Sequence, residues 1–77
     1  MNKMTVYDRI ERMLKTYGGP IAPHEIPSNT RQAYQIPMTE SALGRRLREL
    51  RELGRVGSRT REGKSYKEFW VIEKEKK

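Results

Sequence analysis

Arginine dominates the second half of this 77-residue sequence, because seven of its ten arginines lie between Arg45 and Arg61. A guanidinium group binds phosphate oxygens, and its fork also matches the O6 and N7 acceptors of guanine. Over the whole chain, 17 lysines and arginines against 10 aspartates and glutamates give a net charge of +7. This pattern is typical of proteins that bind polyanions, although a basic surface can also serve solubility alone.

Residues suited to catalysis are scarce. The chain has one histidine, His24, one aspartate, Asp8, and no cysteine. No spacing corresponds to a metal site, to a nucleophile with its base, or to a phosphate-binding glycine loop. We therefore expect a protein that is not an enzyme and needs neither cofactor nor metal.

Length and hydropathy predict a single domain over residues 1–77, with an ordered core at about 5–72 and a charged tail at 73–77. No apolar run approaches the roughly 18 residues of a membrane span, and the N-terminus lacks the apolar segment of a signal peptide. We expect a cytoplasmic protein that does not bind membranes.

A helix between Thr39 and Gly54 carries the first of the clustered arginines. Thr39 is a good N-cap, and a buried stripe is predicted for Leu43, Leu47, Leu50 and Leu53. At about 100° per residue, the opposite face holds Ser41, Arg45 and Arg48, with Gly44 beside them. These four are the candidate residues of a DNA-recognition helix, with solvated surface residues as the alternative for the two arginines.

Gly44 is unexpected inside a helix, because glycine there is about 1 kcal/mol less favourable than alanine. A close backbone approach, either to DNA or to a neighbouring helix, would explain it. Arg46 and Arg51 flank the leucine stripe, so we expect them to form ion pairs or to meet phosphate rather than to read bases.

Two strands, at about residues 55–61 and 65–72, are predicted around a turn that contains Gly63. Arg59 and Arg61 alternate outward on the first strand, and Lys64 and Lys67 follow the turn. Such a hairpin tip can contact the phosphate backbone or enter a minor groove. Alternatively, basic residues on an edge strand act against aggregation.

The second strand alternates two apolar pairs. We expect Trp70 and Ile72 to face the core, which would leave Phe69 and Val71 as an exposed patch for a homodimer or a protein partner. Tyr66 is predicted on the strand surface, where it could stack on a base.

The first half of the chain predicts shorter elements. Helix one, at about residues 5–17, is capped by Thr5 and stopped by Gly18-Gly19, with apolar positions at helical spacing: Val6, Ile10, Met13, Leu14 and Tyr17. Four prolines interrupt residues 20–38, where Ile21 is expected in a short strand and Pro23 at the start of a single turn.

A second short helix is predicted at about residues 29–35. Ser28 would cap it, and Ala33 and Tyr34 would face inward. Arg31 and Gln32 on this helix are further candidates for phosphate contact.

The stretch TESALGRRLRELRELGRV, residues 39–56, resembles the winged helix-turn-helix superfamily, whose members commonly show a capped recognition helix, a leucine stripe, and Leu-x-x-Leu-Gly before the wing. The resemblance covers most of residues 5–72 and identifies no single family. It implies a small α+β domain of three helices with a C-terminal β-hairpin wing.

With the charge pattern, this resemblance predicts a binder of double-stranded DNA, most simply a small transcriptional regulator. The long helix would enter the major groove and the wing would contact the backbone. Two alternatives stay open: an adaptor for protein–protein interaction in a transcription or replication complex, and a binder of RNA or single strands.

Overall fold

A computed structural model describes residues 5–72; the predicted charged tail, residues 73–77, lies outside them. The elements, in chain order, are α1 (Val6–Tyr17), a 3-10 turn (Pro23–Glu25), α2 (Ser28–Ala33), α3 (Glu40–Glu52), β1 (Val56–Thr60) and β2 (Lys67–Val71). Three helices thus precede one antiparallel hairpin, which confirms the small α+β architecture and is compatible with a winged-helix-like arrangement. Within residues 5–72, no helix has the length and apolar character needed to cross a membrane.

Local capping determines where the two long helices begin. At α1, the Thr5 hydroxyl accepts the Asp8 N–H, and the Asp8 carboxylate accepts the Thr5 N–H at 3.1 Å. At α3, the Thr39 hydroxyl accepts the Ala42 N–H at 3.2 Å. Helix α1 ends at Gly18, whose φ of 71° is a left-handed conformation that glycine adopts without strain. Both predicted helix starts are confirmed.

Helix α2 is shorter than predicted. It begins at Ser28, directly after Pro27, and no side chain caps it. It ends at Ala33 because Gln35 has a φ of 59°, which breaks the helical path. Tyr34 packs against the core as expected, but Ala33 is exposed, so the prediction that it faces inward was wrong.

The core lies between α1, α3 and the hairpin, and Leu43, Leu47 and Leu50 are completely buried in it. Leu53 was predicted to extend this stripe, but 62% of its surface is exposed. Leu53 keeps helical backbone angles, but it is the C-cap that follows the last helical residue, Glu52, and the chain turns away directly after it through Gly54 at a φ of 78°. Tyr17, at the end of α1, is likewise exposed.

The hairpin is held to the helical part by a third piece of extended chain. Strands β1 and β2 pair in antiparallel register, with Val56 opposite Val71 and Gly57 opposite Trp70. On the other edge of β2, Ile21 and Phe69 exchange two backbone hydrogen bonds of 2.9 Å. The predicted short strand at Ile21 therefore exists as this bridge, and β2 has neighbours on both edges.

The predicted inward face of β2 was wrong. Phe69 is only 3% exposed and Val71 packs against the core, whereas Trp70 is partly exposed and Ile72 is 41% exposed. The reason is the pairing with β1: Val56 is buried and lies opposite Val71, so their shared face is the core face and alternation places Phe69 on it. Because Phe69 is buried, the exposed patch expected from Phe69 and Val71 does not form.

We expect Leu47→Ala to lower the free energy of unfolding by about 2–5 kcal/mol, because it leaves a cavity at a completely buried position. In a domain of this size, that loss approaches the whole net stability. Leu53→Ala removes the same atoms from an exposed position and should be nearly neutral. Urea unfolding of both variants checks this, and equal effects would contradict the burial pattern of α3.

Candidate nucleic-acid interface

A groove of about 610 Å³ separates the first half of α3 from the 3-10 turn and the hairpin. Helix α3 contributes Ser41, Gly44, Arg45 and Arg48, which are the four residues predicted for a recognition helix. Lys67 of β2 also lines this groove. The fold therefore brings five of the predicted contact residues to one concave surface, which we call the α3 groove.

Arg45 and Arg48 are exposed on this surface, as is Ser41. Burial of the leucines on the opposite side of α3 forces this orientation, because residues two positions away from the stripe point away from the core. Within residues 5–72, neither guanidinium makes a hydrogen bond or an ion pair. Both positive charges are thus available to a ligand.

Tight internal packing does not explain why residue 44 is a glycine. A Cβ atom added there would lie 3.9 Å from Cγ of Pro23, which is an ordinary van der Waals distance. The nearest element would therefore tolerate alanine. Of the two explanations offered by the sequence, close contact with a neighbouring part of the protein does not account for this glycine.

Arg59 and Arg61, predicted to contact DNA from the hairpin, are both held by acidic side chains. Nε of Arg59 donates to Glu68 at 2.6 Å, and Nε of Arg61 donates to the other Glu68 oxygen at 2.8 Å. Glu68 is only 5% exposed, and Arg59 and then Arg61 lower the pKa of its carboxyl group. The two arginines do share the outer face of the hairpin, as expected, but Glu68 offsets part of their charge.

Arg61 also ties the hairpin to the 3-10 turn. Its two terminal nitrogens donate to the two oxygens of Glu25 at 2.6 and 2.7 Å. This bidentate pair, together with the Ala22 N–H, lowers the pKa of Glu25 to about 2. Arg61 thus binds two carboxylates from different parts of the chain and holds the hairpin against the 3-10 turn, next to the α3 groove.

Two aromatic residues, Tyr66 and His24, connect Arg61 to the α3 groove. The Arg61 guanidinium lies 5.2 Å from the centroid of the Tyr66 ring, and its Nη1 donates to the Tyr66 hydroxyl at 3.0 Å. Tyr66 in turn meets His24 edge to face, with ring centroids 4.4 Å apart. Both rings line the α3 groove, where they connect the turn to the hairpin.

Two further arginines of the cluster have internal roles. Arg55 donates to Glu11 at 2.5 Å and to Asp8 at 2.9 Å, which joins the start of the hairpin to α1. Arg46 donates to Glu49 at 2.9 Å. The role of Arg55 was not predicted, although Asp8 and Glu11 share one helical face and form an acidic pair that could have indicated it.

The predicted phosphate-contact residues outside α3 differ in how far their side chains are free to contact a ligand. Nη1 of Arg31 donates to the Met38 carbonyl at 2.6 Å, and its Nε is buried without a hydrogen-bond partner in the part of the chain described. Arg31 therefore holds the loop that follows α2. Gln32, Lys64 and Lys67 are exposed.

Searches with protein-family models, among curated proteins and among solved structures found no match to this chain. Across residues 5–72, no group of three or more His, Cys, Asp or Glu residues could hold a metal ion. The geometry and charge of the α3 groove are therefore the features from which a function can be inferred.

The Glu25–Arg61 pair predicts a pH-dependent contribution to stability. Since the pKa of Glu25 falls from its ordinary value near 4.5 to about 2 on folding, the pair stabilises the fold fully above pH 4.5. This stabilisation is lost as the pH falls from there towards 2. Thermal unfolding of the wild type and Glu25→Gln should differ most at neutral pH and converge in acid.

Glu62→Gln provides the matched control, because Glu62 is exposed at the hairpin turn and has no partner within residues 5–72. It should follow the wild type at every pH. Other carboxylates with lowered pKa are common to all three proteins, so their effects cancel in the differences. A constant gap between wild type and Glu25→Gln down to acid pH would contradict the ion pair.

Proposed function

We propose that this protein is a winged-helix binder of double-stranded DNA that acts as a small transcriptional regulator. Helix α3 enters the major groove, and the hairpin contacts the adjacent phosphates. The observation that carries the proposal is the α3 groove, where Arg45 and Arg48, which make no hydrogen bond or ion pair among residues 5–72, lie near Lys67 of β2. The net charge of +7 supplies the general attraction to a polyanion.

The dimensions of α3 support this proposal. A helix with its side chains is about 10–12 Å across, close to the roughly 12 Å width of the major groove. Thr39 and Glu40 stand at its N-terminal end, and Ser41 and Arg45 lie within its first half. Base contacts in such docking come from the first turns of the inserted helix. We therefore assign base contacts to Ser41 and Arg45, with Arg48 one turn behind.

The roles of the other candidates are revised by their partners. Lys64 and Lys67 remain phosphate contacts, because both are exposed and follow the turn. Arg61 is instead assigned to positioning the hairpin, because it is ion-paired with Glu25 and Glu68. Gly44 supports the proposal because a missing side chain lets a phosphate or a base edge approach the helix backbone closely.

Duplex binding across several salt concentrations tests the proposal. If about four to six phosphates are neutralised, log affinity should fall against log salt with a slope of roughly −4 to −5. Single-stranded DNA and RNA of the same sequence serve as comparisons and should bind more weakly. Absence of duplex binding even at low salt would reject the proposal, and a preference for a single strand would replace it with the single-strand alternative.

Two substitutions separate base reading from phosphate contact. Arg45→Ala should cost about 1–3 kcal/mol on a duplex selected from a random library, and much less on scrambled duplex. Lys64→Ala should weaken both by similar factors and reduce the salt slope by about one unit. Paired titrations on the two duplexes measure this. Equal losses on both duplexes for Arg45→Ala would show that Arg45 contacts only phosphate.

A further inference from the structure

Glu40 is the single acidic residue among the described residues that line the α3 groove. Arg45, Arg48 and Lys67 supply positive charge to the same surface, and the Glu40 side chain is exposed there. A carboxylate on a surface that receives a polyanion repels phosphate, so it weakens binding unless the ligand brings a hydrogen-bond donor to it. Glu40 therefore needs an explanation that the cations of the groove do not give.

The Glu40 carboxylate has no partner inside the described part of the chain, where it makes neither a hydrogen bond nor an ion pair. A helical glutamate pairs with cations three or four residues further on. Those positions hold Leu43, which is buried, and Gly44, which has no side chain. Glu49 shows the contrast, since Arg46 lies three positions before it and donates to it at 2.9 Å. Both oxygens of Glu40 are therefore available to a ligand.

The start of α3 fixes where this carboxylate stands. Glu40 is the first residue of the helix, and the hydroxyl of the N-cap Thr39 holds the first turn by accepting the Ala42 N–H at 3.2 Å. At about 100° per residue, Ser41 and Arg45 lie about 100° and 140° around the helix from Glu40. The three side chains therefore share one sector of α3, in the first turns from which an inserted helix contacts base edges.

The chemistry of a carboxylate restricts which base it can contact. An ionised carboxylate only accepts hydrogen bonds, and the donors in the major groove are the amino groups at N4 of cytosine and N6 of adenine. Beside N6 of adenine lies the acceptor N7, which repels the second carboxylate oxygen, whereas cytosine has a C–H group beside N4. Guanine presents O6 and N7, and thymine presents O4, so both repel a carboxylate. Cytosine is thus the base that fits.

We propose that Glu40 is a base-reading residue of the α3 groove, whose carboxylate accepts a hydrogen bond from the N4 amino group of a cytosine in duplex DNA. This inference rests on the proposed function and adds a second kind of base contact to it, because Arg45 binds acceptors and Glu40 binds a donor. The cytosine is distinct from the guanine that Arg45 contacts. Since the carboxylate repels phosphates and the wrong bases, Glu40 contributes specificity more than affinity.

Selection from a random duplex library with the wild type, Glu40→Gln and Glu40→Ala tests this assignment. The wild type should select a site with one cytosine whose identity depends on residue 40. The amide of glutamine both donates and accepts, which matches N6 and N7 of adenine. Glu40→Gln should therefore change the preference at that position from cytosine to adenine. Glu40→Ala should accept any base there, and the preferences at the other positions should stay the same.

Titrations on the selected duplex and on scrambled duplex separate base reading from other effects of the charge. Glu40→Gln should bind the selected duplex about tenfold more weakly, as for one mismatched base pair. It should bind scrambled duplex at least as tightly as the wild type, because a charge that repels phosphate is gone. Glu52→Gln is the matched control, since Glu52 ends α3, is exposed and lies outside the groove lining. It should leave the base preference unchanged.

An unchanged base preference in Glu40→Gln would overturn the assignment of Glu40 while duplex binding stands. Tighter binding of Glu40→Gln to both duplexes would also overturn it, by showing that the carboxylate only repels phosphate. Equal losses on both duplexes with a lower thermal midpoint would show that Glu40 only stabilises the start of α3. A wild type that binds no duplex even at low salt would instead reject the proposed function, and the assignment with it.

Discussion

The pair of backbone hydrogen bonds between Ile21 and Phe69 is the constraint on which the rest of the structure depends. A two-stranded hairpin is at best marginally stable alone in water. Here β2 gains a neighbour on its second edge, and Phe69 is pulled into the core formed by α1 and α3. The same bridge sets the 3-10 turn beside the hairpin, which creates one wall of the α3 groove. It also places residues 18–20 near Trp70.

The arginines of the second half divide according to the carboxylates they meet. Arg55, Arg59 and Arg61 join separate parts of the chain through acidic partners, and Arg46 pairs with Glu49 one helical turn away. Arg45 and Arg48 have no such partner within the described residues. A charge that is already paired contributes less to ligand binding, because the ligand must displace the internal carboxylate and leave it without its partner. The availability of a cation, more than its place in the sequence, therefore decides which arginines can serve a polyanion.

The two faces of β2 carry different chemistry. The face towards the helices carries Phe69 and Val71 and belongs to the core, and the outer face carries the partly exposed indole of Trp70 beside the Arg59 guanidinium. The adaptor alternative has lost the exposed patch on which it was based, because Phe69 is buried.

The sequence by itself determined the features that depend on local interactions. The caps at Thr5 and Thr39, the stripe of Leu43, Leu47 and Leu50, and the exposure of Arg45 and Arg48 follow from capping chemistry and helical periodicity, and the structure has them all. Only the tertiary structure decided which face of β2 is buried, because alternation allows two registers and the pairing of Val56 with Val71 selects one. It also decided which arginines are paired, since Glu25 lies 36 positions from Arg61 and Asp8 lies 47 from Arg55. No local pattern reports contacts over such distances, because they arise only once the helices and the hairpin have packed together.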